Sequence, residues 1–244
     1  MMVYEISPEI KRFELEMSIS RQLRFLRLKV NVYAFRSKSG VTLFDCGPEA
    51  SFEELRSALG GCMVRQVFLT HAHADHAGAG RCWLTEGARV YMARGDWSMA
   101  CDGGPPGLPS SFTYSGFEPT DMVQAGDEIT LGDYKFAVIA IPGHTAGSIC
   151  YYAQNDDILV CGDLLFGPLR SLPTSVPELV WVWGQQAGEL KAHLESLDGV
   201  ERLVSGKSPL LLVGHGSPRR LADCPETFRR TRRILRAVHR LKRR

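Results

Sequence analysis

The stretch "RQVFLTHAHADHAG", residues 65–78, joins two kinds of sequence. Arg65 to Thr70 is a short apolar run rich in β-formers, and His71, His73, Asp75 and His76 then follow within six residues. Four such groups cannot all turn into an apolar core, because unpaired buried polar groups are costly. They form either a solvated loop or part of a metal site, and the rest of the chain decides between the two.

Working outward, the same arrangement recurs. "VNVYAF" and "VTLFDCG" flank a Ser-Lys-Ser-Gly turn and read as a hairpin that ends beside Asp45. "DEITLGDYKFAVIAIPGH" is a second hairpin, with Gly132-Asp133 at its turn, and it ends at His144. "SICYYA" and "DILVCGD" pair across Asn155-Asp156-Asp157 and end at Asp163, while "PLLLVGHGSP" is a short buried strand ending at His215. Between these runs lie helices. Ser51 and Glu54 read as a capping box in front of "FEELRSAL", and "GQQAGELKAHLESL" is helical. Strand ends in layered α/β folds gather at a sheet edge, where loops converge on a site. Five of the seven histidines stand at such ends; His193, in a helix, and His239, in the tail, read as surface residues.

Together "HAHADH", "PGHTAGS", "CGD" and "GHG", in that order, resemble the metallo-β-lactamase superfamily from about Val30 to His215. The resemblance implies an α/β fold, a four-layer αββα sandwich. It also implies two divalent ions, zinc foremost with iron or manganese as substitutes. His71, His73 and His144 would hold one; Asp75, His76 and His215 the other; Asp163 would bridge them. Asp75 and Asp163 are the expected catalytic carboxylates, and Asp45 would orient the metal ligands from behind. Ions roughly 3.5–4 Å apart can share a hydroxide that attacks a thioester, a lactone or a related ester. True β-lactamases of the superfamily lack the bridging aspartate, so Asp163 resembles the glyoxalase II, lactonase, phosphodiesterase and RNase Z branches, with a glyoxalase II-like hydrolase foremost. Two alternatives stay open beside this dinuclear metal-dependent hydrolase. One is a persulfide dioxygenase-like enzyme with a single iron on His71, His144 and Asp163. The other is a phosphodiesterase, nuclease or metal-stabilised binding module that uses the basic tail. No GxSxG elbow or P-loop supplies a competing chemistry.

Two stretches are expected to shape a substrate pocket. Residues 95–120 form a long Gly/Pro/Ser-rich loop, with Trp97, Phe112, Tyr114 and Phe117 placed to cover an apolar acyl group. After Asp163, "GPLRSLPTSVPELVWVWG" offers Trp181, Trp183 and Arg170, the last as a holder of a substrate carboxylate or phosphate.

Charge is uneven along the chain. From Ser217 onward there are eleven Lys/Arg against two acids, leaving 18 basic and 25 acidic residues in the rest. The expected organisation is one superfamily-like domain over 1–216 and a basic C-terminal helix over 217–244 packed on it. Phe228, Leu235, Val238 and Leu241 would dock that helix while its arginines stay in water. A small-molecule substrate is expected, with nucleic acid a lesser possibility and a homo-oligomer open. Seven cysteines without a CxxC pair suit a reducing compartment. No run has the length of a membrane span and no signal-peptide core stands at the start, so the expected address is the cytoplasm.

Overall fold

A computed structural model of the chain describes residues 1–18, 27–105, 112–165 and 187–242. Arg170, Trp181 and Trp183 lie outside the described residues. The chain forms two compact units, residues 1–123 with 130–133, and residues 124–129 with 134–244.

The first unit is built on a seven-stranded sheet whose strands lie in chain order. Strands β1 (Met2–Glu5), β2 (Ile10–Ser18), β3 (Arg27–Ser37) and β4 (Gly40–Phe44) pair antiparallel. The β3–β4 connection is the Ser-Lys-Ser-Gly hairpin. From β4 onward the pairing turns parallel, through β5 (Val64–Phe68), β6 (Arg89–Ala93) and β7 (Asp121–Val123). Parallel neighbours need crossovers, and helices supply them here. These are α1 (Phe52–Ala58), then α2 (Ala74–Ala77) with α3 (Gly80–Thr85), then α4 (Trp97–Asp102). Phe35, Phe44, Phe68 and Tyr91 run across β3 to β6 as a ladder with centroid spacings of 5.2, 6.0 and 4.4 Å. Each such pair contributes about 0.5–1.5 kcal/mol beyond the area it buries.

Two sequence expectations fail in this unit. The capping box does not form: Ser51 ends a short 3-10 turn, Glu49–Ser51, and makes no side-chain cap bond. Glu54 instead accepts the N-terminal amine of Met1 at 3.0 Å. The stretch 95–120 is not a loop throughout, since α4 takes its first part and Tyr114 and Phe117 are buried.

The second sheet is six-stranded, ordered β13-β12-β11-β10-β9-β8, and all of it but the end of β8 belongs to the second unit. These strands are β8 (Glu128–Leu131), β9 (Tyr134–Ala140), β10 (Ile149–Ala153), β11 (Ile158–Gly162), β12 (Leu210–Val213) and β13 (Arg219–Arg220). Both expected hairpins are present, and Asp157 takes its positive φ of 52° at the second turn. Strands β11 and β12 run parallel, and among the described residues helix α5 (Ala187–Leu203) lies between them in sequence. Helix α6 (Thr227–Lys242) turns Phe228, Thr231, Leu235 and Val238 inward, a 3.6-residue stripe, to join Leu197 and Val200 of α5 in one core. Leu241, expected to dock, is 57% exposed because the helix runs past the core there. Arg232 of α6 donates to Asp198 of α5 at 2.8 Å and also to Glu201.

No described helix is long and apolar enough to cross a membrane. All seven cysteines are free thiols, and Cys161 sits in the core of the second unit.

Candidate metal centre

Strand β5 delivers the first group of candidate ligands. Its last residues, Val67 and Phe68, are buried, the chain leaves it at the buried Leu69, and His71 follows at 2% exposure. His73 is extended, with φ −70° and ψ 152°, and caps α2. The single turn of α2 then sets Asp75 and His76 side by side, 3.6 Å apart between Asp75 Oδ2 and His76 Nε2. His71 Nε2 and His73 Nδ1 are 3.2 Å apart.

Asp45 organises this group from behind, at 3% exposure and with a positive φ of 59° just past β4. Its Oδ1 accepts the Thr70 N–H at 2.7 Å. Its Oδ2 accepts the Thr70 hydroxyl at 3.0 Å and His76 Nδ1–H at 2.8 Å. A carboxylate only accepts, so His76 carries its proton on Nδ1 and turns the Nε2 lone pair forward. The Thr70 hydroxyl spends its proton on Asp45 and accepts from His71 Nδ1 at 3.0 Å, which fixes the same tautomer there. One carboxylate thus sets two imidazoles in the form a metal needs.

The second group sits at the strand ends of the second unit. His144 lies in a tight turn after β9, where the Gly143 N–H bonds the Thr145 carbonyl at 2.9 Å. Gly143 has a φ of 136°, and a Cβ there would stand 2.2 Å from the backbone nitrogen of His193. Only glycine lets this turn lie against α5. Asp163 follows a bulge at the end of β11, and a bond from Gly214 N–H to the Gly162 carbonyl at 3.0 Å ties its loop to that of His215. His144 Nε2 and His215 Nε2 approach the same oxygen, Asp163 Oδ2, at 3.4 and 3.3 Å. All three side chains are buried, at 8, 1 and 3% exposure for His144, His215 and Asp163.

The donor sets fit divalent cations. Zinc–imidazole bonds of about 2.0–2.1 Å in tetrahedral geometry put two nitrogens about 3.3–3.4 Å apart. The His71–His73 separation of 3.2 Å matches that bite. Asp163 likewise has an imidazole nitrogen of His144 and one of His215 at 3.4 and 3.3 Å from a single carboxylate oxygen, a donor set that suits cation binding.

Three residues unread or misread in the sequence bear on these groups. His193 is not a surface residue; it is 1% exposed, with Nε2 3.4 Å from the Leu164 carbonyl and its ring 6.3 Å from that of His144. Burial pulls its pKa down to about 4, so the ring stays neutral. Asp96, fully buried, accepts the Ala72 N–H at 2.9 Å. Tyr114 donates its hydroxyl to the Ala72 carbonyl at 2.8 Å. Trp97, by contrast, is only half-buried at the start of α4, and His239 is half-buried on α6.

Comparison with known proteins agrees with this chemistry. The Metallo-beta-lactamase superfamily profile matches residues 26–215. A hydroxyacylglutathione hydrolase of Thermosynechococcus vestitus is 37% identical over 110 residues, 44% of this chain and 37% of that protein. The acyl-coenzyme A thioesterase MBLAC2 of Bos taurus is 33% identical over 119 residues, 43% of each chain. The chain thus spans less than half the length of either relative. Among solved structures, a beta-lactamase domain protein from Burkholderia ambifaria aligns at a TM-score of 0.70 and 25% identity, covering 98% of this chain and 75% of that one. With two sheets and their helices, the α/β fold is that of these proteins, and the chain belongs to the metallo-β-lactamase superfamily, whose relatives here are named as hydrolases.

Proposed function

We propose that the chain is a dinuclear metal-dependent hydrolase of small acyl thioesters or related esters. In this reading His71, His73 and His144 hold one ion, Asp75, His76 and His215 the second, and Asp163 is common to both. The observation that carries it is the convergence of two imidazoles on Asp163 Oδ2, at 3.4 and 3.3 Å. An acid placed so suits a bridging ligand. The thioester class draws on the names of the relatives, a hydroxyacylglutathione hydrolase and an acyl-coenzyme A thioesterase.

When bound, divalent ions supply Lewis acidity and acidify water to a pKa of about 7. The chain's own groups do the rest. Asp45, directly at His76 and through Thr70 at His71, keeps both imidazoles in the Nδ1-protonated form, so that both present Nε2. Asp75 and Asp163 would bring the negative charge needed to hold two cations. His193 stays neutral behind His144 and adds no competing positive charge. Seven free thiols favour a reducing, cytoplasmic address.

The test is metal content by mass spectrometry on protein purified without added metal, followed by a panel of acyl thioesters, lactones and phosphodiesters. The expected result is close to two zinc-type ions per chain, thioester hydrolysis that a chelator abolishes, and loss of metal in Asp163→Ala. About one iron and no zinc would transfer the assignment to the single-iron oxygenase alternative. No tightly bound metal at all would end the proposal.

A further inference from the structure

Ala72 stands between His71 and His73, and it is held on both sides. Its N–H is accepted by Asp96 Oδ2 at 2.9 Å and its carbonyl accepts the Tyr114 hydroxyl at 2.8 Å. These two bonds immobilise both peptide groups that link the histidines. Asp96 is fully buried and Tyr114 is 9% exposed, so bulk water does not compete for either bond. Burial also raises the Tyr114 pKa, which keeps the phenol a donor.

The two holders belong to one brace. Asp96 immediately precedes α4, and the chain returning after that helix is laced to its end. Tyr114 N–H bonds the Gly103 carbonyl at 2.9 Å, and Phe117 N–H the Ala100 carbonyl at 3.0 Å. The approach is close enough to demand glycine. A Cβ on Gly103 would lie 2.2 Å from the Tyr114 carbonyl oxygen, and one on Gly116 would lie 2.1 Å from that of Cys101. On the far side, a Cβ on Gly80 would enter the Phe117 ring at 2.3 Å. Glu49 fastens the strap again by accepting the Ser115 N–H at 2.9 Å. Such packing leaves Tyr114 no room to swing out as a substrate-covering residue.

We infer that Asp96 and Tyr114 are positioning residues that clamp Ala72 and thereby set the 3.2 Å spacing of His71 Nε2 and His73 Nδ1. The inference rests on the metal-centre reading, because the spacing matters through the ion it receives. Asp45 fixes the proton positions of the imidazoles; the clamp fixes where the two imidazoles stand.

Cobalt(II) binding measured by chelator competition and by its visible ligand-field spectrum tests this, on wild type, Tyr114→Phe, Asp96→Ala and Asp96→Asn. Partners behind a metal ligand are worth roughly 10–100-fold in affinity. Tyr114→Phe and Asp96→Ala are each expected to weaken cobalt by about that factor and to shift the spectrum. Asp96→Asn keeps an oxygen to accept the Ala72 N–H and is expected to recover most of the affinity. Unchanged affinity and spectrum in Tyr114→Phe would overturn the clamp, as would losses that merely track a fall in metal-free melting temperature. Should the wild type bind no cobalt, the metal-centre reading fails by itself. The clamp is then decided by hydrogen exchange at the Ala72 amide, which must quicken in Asp96→Ala if the bond is what holds it and refutes the clamp if it does not.

Discussion

His193 shows what one buried titratable side chain does to the stability of the whole fold. It is 1% exposed, and burial outweighs its contact with the Leu164 carbonyl, moving its pKa from 6.5 to about 4. The folded protein therefore refuses a proton that the unfolded chain accepts below about pH 6.5. Its share of stability is complete above that pH, is lost as the pH falls toward 4, and changes no further below. The shift corresponds to about 3 kcal/mol across that window. Denaturant titrations of metal-free protein at pH 7, 5.5 and 4 check it. His193→Gln, which cannot titrate but can still donate to Leu164, is expected to remove most of that slope, and an equal slope in both proteins would contradict the assignment. This histidine was misread because a single imidazole in a helix says nothing about which face it occupies. The other histidines were legible for the opposite reason. His71, His73, Asp75 and His76 stand too close together, and His144 and His215 too consistently at strand ends, for a core to absorb them. Asp96 and Tyr114 gave no such signal, since each acts through a backbone group that no sequence displays.

Elements were legible where local chemistry and tertiary contacts agree. The three hairpins carry their turn residues in plain view, with Gly132 and Asp157 at positive φ. The capping box failed because a 3-10 turn took Ser51 first and the N-terminal amine took Glu54. The first two strands went unread in "MMVYEISPEIKRFE", although in β2 Arg12, Glu14 and Glu16 alternate with Phe13, Leu15 and Met17, the period of two of a half-buried strand. There Arg12 is 4% exposed, its guanidinium lying 3.9 Å from the Tyr4 ring centroid, and Lys29 donates to Glu14 at 2.7 Å. Helix α6 illustrates the reverse case, with a pattern read nearly correctly. Leu235 is fully buried among α5 side chains, whereas Leu241 is 57% exposed. Leu235→Ala should therefore cost about 2–5 kcal/mol, the range for a leucine-sized cavity, and Leu241→Ala less than about 0.5 kcal/mol. Urea unfolding midpoints of the two variants measure the contrast, and comparable losses would mean that α6 docks differently from this description.

At the scale of the molecule, family membership determines the sheets, and the strand ends determine what they carry. Seven candidate ligands fall at the ends of β5, β9, β11 and β12, while the strands themselves supply much of the apolar core. A fold so arranged keeps stability and chemistry on separate residues, so ligands change without the core and the core without the ligands. The two are coupled in one respect. Buried imidazoles and carboxylates carry a desolvation cost that a bound cation offsets, so metal binds the folded chain in preference to the unfolded one. By mass action, free metal at 100 times its dissociation constant adds about 2.7 kcal/mol to folding stability. Melting of the metal-loaded protein should therefore shift downward on chelation and return on adding zinc. The shift should grow with the logarithm of free zinc concentration and shrink sharply in Asp163→Ala. A melting temperature indifferent to chelator in protein shown to contain metal would mean that the ions sit elsewhere than on these ligands. Leu235→Ala supplies the control, since a core cavity lowers the melting temperature of loaded and stripped protein alike and leaves the difference between them unchanged.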